Sequence, residues 1–181
     1  MTRAFDHLFG ILKRQYNLEP KVIEADNEIF TVKPGVCTHL ESQHIKIDPS
    51  APYTQAQNRG AERSGGVLKD KIRAMHAGAR LPTQLWPEIS RAAVYLSNRT
   101  PRYNLKWKTP YDRFHTFLAQ RDGNTVITDR KPLQGHLRVF GCKAFALTTE
   151  TLKKANRLQR LNPKAWIGYL VGYDSTNIYR I

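Results

Sequence analysis

Asp26 and Glu62 are the residues whose type and setting best suit them to chemistry. Asp26 follows a short apolar run, residues 21–25. Glu62 lies in a polar stretch, residues 50–66, with Arg63 beside it and Lys69 and Arg73 beyond. Between the two acids lie 35 residues. Carboxylates are hard oxygen donors that suit magnesium, which binds one or two of them together with phosphate oxygens. A pair of such ions can activate an attacking oxygen and stabilise a leaving one in phosphodiester chemistry. Two acids among the 15 in the chain are a weak signal by themselves. Asp26 could equally cap a turn or helix, and Glu62 could pair with Arg59 or Arg63.

Both acids need elements to position them. Residues 21–25 read as a short buried strand with Asp26 at its carboxyl end, a place where α/β folds often gather active groups. Ile45-Lys46-Ile47 reads as a second strand, broken by Asp48-Pro49. Residues 36–44 suggest a helix around Val36, Leu40 and His44. From about Gly60 a helical period returns. At about 100° per residue, Lys69, Arg73, His76 and Arg80 fall within roughly 40° of the Glu62 direction. Leu68, Ile72, Met75 and Ala79 occupy another face, suited to a core. Gly65, Gly66 and Gly78 each cost about 1 kcal/mol against Ala, so the helix is expected to fray near Gly78, and Arg80 is the least secure member of the face.

Around this centre the chain reads as α/β. Phe5, Leu8, Phe9, Leu12 and Tyr16 recur every 3–4 residues and predict an amphipathic helix over 4–16. A further helix is expected over 83–98, with Leu85, Ile89, Ala92, Ala93 and Leu96 inward and Pro87 in its first turn. A Pro-started helix is expected within 107–118. Residues 119–132 read as a linker. Beyond it the period moves toward two, at 136–140, 143–147 and 166–173, and a last strand is expected at 178–181. The expected organisation is therefore 1–118, a linker at 119–132, and a small β module at 133–181. Trp86, Trp107 and Trp166 are expected as core or cap residues. Cys37, His39 and His44 are close in sequence, but their spacing is no complete zinc pattern, and a structural or solvent-facing role is expected.

Composition narrows the partner. The 181 residues carry a formal net charge of +14 and a pI near 10.0. Residues 56–108 and 130–181 each hold a net +8, while residues 1–55, which contain Asp26, hold −1. That pattern points to a polyanion, most simply nucleic acid, although solvated surface Lys and Arg would look alike. No apolar run approaches the roughly 20 residues that span a bilayer. The first residues lack the layout of a secretory signal. Two cysteines make no disulfide framework, and a reducing, intracellular setting is expected.

The wording around the acids carries a family resemblance. Pro52-Tyr53-Thr54, Gln57-Asn58 and Ala61-Glu62-Arg63 resemble the loop before the last catalytic helix in the integrase core of copia-type retrotransposons. Glu24-Ala25-Asp26-Asn27 is similar to the segment holding that family's second aspartate, and the separation matches. Residues 92–101 and 108–111 resemble the helices after the core. Residues 136–142 and 167–173 resemble the start of the following Src-homology-3-like module. The wording at 55–58 and 64–66 is closest to fungal members.

This resemblance implies a truncated RNase H-like core, its first strands missing, followed by helices and a partial small β-barrel. It implies magnesium- or manganese-dependent DNA strand transfer, with Asp26 and Glu62 as catalytic metal ligands. It further implies Asn58, Arg63, Lys69 and Arg73 as nucleic-acid contacts, DNA or RNA as partner, homo-oligomers and a nuclear location. Neither a membrane nor a small-molecule substrate is expected. The family's first catalytic aspartate has no counterpart by motif, since Asp6 lies in a helical pattern, so the chain is expected to be catalytically inactive as it stands. Arg59 replaces the usual loop glycine, which is costly if φ is positive there. A basic DNA- or RNA-binding module without catalysis, or an assembly fragment, are the alternative readings.

Overall fold

A computed structural model describes residues 2–25, 34–49, 55–123, 131–148 and 163–181. Among these, helices and small sheets are mixed, as an α/β reading expects. They divide into two compact units, Met1–Gly65 and Gly66–Ile181.

The first unit opens with α1, Thr2–Tyr16, two residues longer at its start than the periodicity suggests. Its apolar stripe explains it. Phe5 and Phe9, one turn apart, stack at 5.7 Å between ring centroids. Both pack on a core of Val36, Leu40 and Ile45, together with Ile23 and Ile47. Asn17 ends the helix in a left-handed conformation, φ 50°, which Asn tolerates. Strand β1, Val22–Ala25, pairs in parallel with β2, Lys46–Pro49, and places Glu24 opposite Asp48. Helix α2, Pro34–Ser42, connects them in sequence and contributes Val36 and Leu40. The β1 strand forms where expected, but it is not buried: Val22 is half exposed and only the alternate residues turn inward. A two-stranded sheet covers one face of each strand and leaves the other to solvent.

Helix α3, Gln55–Ala79, starts five residues earlier than Gly60. Arg59 therefore stands inside a helix, where any L side chain is tolerated, and the cost attached to a positive-φ loop residue does not arise. The helix ends at Ala79, and Arg80 takes a left-handed φ of 53° beyond it. The fraying expected near Gly78 is thus a terminus one residue later.

In the second unit a 3₁₀ turn, Thr83–Leu85, leads into α4, Trp86–Arg99, with Pro87 in the first turn as expected. Ile89, Ala92 and Ala93 are buried. Ile89, Ala92 and Phe140 form the core, and Ile72, Met75, Ala79, Leu81 and Val171 pack against it. The inward face read on α3 is this one. A second 3₁₀ turn, Tyr103–Leu105, precedes α5, Pro110–Arg121. Thr109 caps α5 by accepting from the Asp112 N–H at 3.0 Å. The helix continues three residues into the stretch read as a linker, and Ala119 there is buried.

Strand β3, Lys143–Leu147, pairs antiparallel with β4, Ala165–Tyr169, and β5, Gly172–Tyr173, with β6, Tyr179–Arg180. Residues 136–140 alternate in polarity but form no strand. Tyrosines hold them instead. The Tyr95 hydroxyl lies 2.8 Å from His136 Nε2, Tyr179 donates to the His136 carbonyl at 2.8 Å, and Tyr173 donates to the Arg138 carbonyl. Arg180 forms a two-pronged pair with Glu88 of α4, both contacts at 2.8 Å. So β5 and β6 pack on α4 through the Tyr95–Tyr173 stack (5.1 Å) and this ion pair.

The three tryptophans correct the core half of an expectation, while Trp86 does stand at the cap of the Thr83–Leu85 turn. Trp86, Trp107 and Trp166 are 62%, 70% and 49% exposed, so none is a core residue. The small residues of α4 close the core without them.

Candidate functional site

Glu62 lies in the first third of α3 with its side chain exposed. Among the described side chains it makes no ion pair, Arg63 included. Arg63, also exposed, follows it. Asp26 lies outside the described residues, directly after β1. Asn58 is within α3, but its side chain lies outside the described set. Lys69 and Arg73 are exposed on the same helix in the second unit, and Arg73 reaches Asp70 at 3.4 Å. That pair is 79% and 76% exposed, so screening leaves it weak and Arg73 available to another anion. His76 is half buried, and Arg80 has left the helix. Of the four basic residues read onto the Glu62 face, Lys69 and Arg73 are the exposed helical ones.

Glu62 alone cannot hold a divalent ion firmly. Among the described residues, no group of three or more His, Cys, Asp or Glu side chains is placed to hold a metal. Cys37, His39 and His44 are not brought together. His39 Nε2 meets Asp6 Oδ1 at 2.7 Å, and Gln43 donates to the same oxygen at 3.0 Å. The hydrogen bond from His39, then that from Gln43, holds the Asp6 carboxyl below its usual range. The contact ties α1 to α2. Cys37 is half buried, and His44 sits in a left-handed turn at φ 58°.

One cluster escaped the sequence reading. Lys71 Nζ and Arg102 Nη2 both donate to Ser97 Oγ, at 3.3 and 3.0 Å. Burial, then the Arg102 charge, pushes the Lys71 ammonium below its ordinary pKa. Nearby in sequence, Arg99 stacks on the Tyr95 ring, its guanidinium carbon 3.5 Å from the centroid. The partners are separated by 26 and 5 residues, so no local pattern announces the cluster.

Comparison with known proteins gives the setting. The chain is similar to the retrovirus-related Pol polyprotein from transposon TNT 1-94 of Nicotiana tabacum, 28% identical over 144 residues. That match covers 80% of this chain and 10% of the polyprotein. It is also similar to the retrovirus-related Pol polyprotein from transposon RE1 of Arabidopsis thaliana, 29% identical over 105 residues, covering 58% of this chain and 6% of that one. The resemblance to copia-type elements is thereby borne out, here through relatives from plants. The chain spans a tenth or less of the length of these curated relatives. No protein-family model matches it. No solved structure matches it either.

Proposed function

We propose that these 181 residues are the integrase-derived part of a retrotransposon polyprotein and act by binding DNA, without completing strand transfer on their own. The observation that carries this reading is the similarity over 80% of the chain to a retrovirus-related Pol polyprotein; the family wording around Glu62 supports a catalytic origin for that residue. The local fold supports it. The parallel pair β1–β2 with α2 between them, followed by the long helix α3, is what the later half of an RNase H-like core requires. The antiparallel pairs β3–β4 and β5–β6 suit the start of a small barrel.

Magnesium or manganese is the cofactor this reading implies, and Asp26 and Glu62 are the residues that would hold it. When bound, such ions activate an attacking hydroxyl and stabilise the leaving oxygen. Carboxylate oxygens suit them. Among the described residues no group of three or more His, Cys, Asp or Glu side chains gathers around Glu62. What the chain itself supplies is charge. Lys69 and Arg73 offer exposed cations on α3, and a net +14 draws a polyanion. A DNA partner places the work of the polyprotein in the nucleus.

A strand-transfer assay with magnesium and a labelled DNA end tests this. The chain and its Glu62→Gln variant should both give background product. Product from the chain that disappears in the variant would overturn the reading.

A further inference from the structure

We propose that residues 102–108, with Lys71 and Ser97, form a second site, which takes an unpaired stretch of DNA. A backbone phosphate sits at Lys71 and Arg102, and bases stack on Trp107 and Tyr103. The identity of the partner rests on the DNA reading above; the site itself rests on two independent features.

The first is the convergence of two cations without a counter-charge. Lys71 and Arg102 donate to one buried hydroxyl, Ser97 Oγ. Among the described residues no carboxylate pairs with either. Ser97 is in the last turn of α4, so the helix dipole contributes about half a negative charge there. That leaves most of two positive charges uncompensated. An ammonium and a guanidinium have donors to spare after one bond each, and a phosphate accepts from both. Lys71 lies about 160° around α3 from Lys69 and Arg73, so this is a different face of that helix.

The second is a strained turn that holds large rings in solvent. Lys106 and Trp107 are consecutive left-handed residues, φ 53° and 62°. A bulky side chain there is an outlier that persists where its surroundings enforce it, and such strain gathers at functional sites. The enforcement is visible: Arg102 N–H donates to the Lys108 carbonyl at 3.1 Å, and Trp107 N–H donates to the Arg102 carbonyl at 3.0 Å. Tyr103 is 82% exposed and Trp107 70%, their centroids 6.0 Å apart in an edge-to-face arrangement. Lys106 and Lys108, both exposed, flank them. Rings alternating with cations on a firm turn suit bases on a charged strand. Beside Trp107 is a cavity of about 380 Å³, lined also by Lys108, Asp112 and Lys131. The buried Asp112 carboxyl disfavours a phosphate there, so the cavity suits a base and the phosphate falls to the Lys71–Arg102 pair.

Anisotropy with labelled oligonucleotides of about 12 nucleotides tests the site on the full chain. Single-stranded DNA, single-stranded RNA of the same sequence, and duplex DNA form the three arms. Trp107→Ala should weaken single-stranded DNA binding about tenfold, leave the duplex within about twofold, and leave the salt slope unchanged, while Trp107→Phe restores most of the affinity. Lys71→Gln should instead reduce the single-strand salt slope by about 0.7. Unchanged single-strand affinity in Trp107→Ala overturns the proposal, as does an equal loss on the duplex. Tighter binding of RNA than DNA overturns the assigned occupant. A Trp107→Ala variant that alters only sedimentation assigns the rings to a second copy of the chain and also overturns it. Single-strand binding that depends on Trp107 without any duplex binding would sustain this site and sink the α3 reading; duplex binding alone would do the reverse.

Discussion

Replacing Gly141 with Ala should cost the second unit much of its stability. Gly141 has φ +80°, and its N–H donates to the Leu170 carbonyl at 2.8 Å, just beside the β3–β4 pair. A Cβ there would lie 2.6 Å from Ala79 Cβ and 2.9 Å from Ala79 Cα, at the end of α3. The left-handed conformation costs an L residue about 1–2 kcal/mol. Overpacking against a helix terminus that cannot rotate away adds about 1–3 kcal/mol. The total, about 2–5 kcal/mol, is a large part of the roughly 5–15 kcal/mol that stabilises a typical domain. With a urea slope of about 2 kcal/mol per M, the midpoint should fall by about 1–2.5 M. Gly66→Ala is the matched control. Gly66 is exposed within α3 with nothing within 4 Å of its would-be Cβ, so Ala should raise the midpoint through about 0.5–1 kcal/mol of backbone entropy. Circular dichroism at 222 nm during urea titration reads both. A Gly141→Ala midpoint within about 0.3 M of the parent would refute the close approach of residue 141 to α3.

Other consequences follow from the same packing. Ile89, fully buried against Ala92 and Phe140, should cost about 2–5 kcal/mol as Ile89→Ala by urea denaturation, whereas exposed Glu62→Gln should change stability by less than about 0.5 kcal/mol. Acid should loosen residues 136–140. Burial first, then the Arg99 and Arg138 charges, lowers the His136 pKa below 6.5. Tyr95, Tyr173 and Tyr179 also face it, and among the described residues no carboxylate pairs with it to offset a new charge. A base with a depressed folded pKa stabilises above its unfolded value, so the contribution is full above about pH 6.5 and is lost as the pH falls below it. Thermal melts at pH 7.5 and 5.5 should show this loss, and His136→Gln should flatten it.

Much of the helical framework was legible because it is written locally. Phe5 and Phe9, Val36 and Leu40, and Ile89, Ala92 and Ala93 recur at helical spacing, and each group turned inward. Pro87 and Pro110 marked helix starts for the physical reason expected, a fixed φ and no donor to lose. What was misread depended on distant partners. His136 to Phe140 alternate like a strand, but tyrosines 35 to 43 residues away decide their conformation. The tryptophans are apolar enough to predict burial, yet Trp107 is held outward by backbone hydrogen bonds that composition does not reveal. Gly60 and the polar wording of residues 50–59 argued for a loop, while the run from Gln55 formed the first turns of α3. Glu62, Lys69 and Arg73 were read onto one helix from type and period, and α3 carries all three exposed. The Lys71–Ser97–Arg102 cluster was not legible that way, because it joins two helices and a turn.

Duplex DNA binding as a function of salt tests the central claim most directly. If α3 presents Lys69 and Arg73 to backbone phosphates, log K should fall steeply with log salt, at about −0.9 per phosphate contact. The double variant Lys69→Ala/Arg73→Ala should weaken binding for every sequence tried and flatten that slope by about 1 to 2. A salt-independent affinity, or a double variant with the slope of the parent chain, would contradict the account.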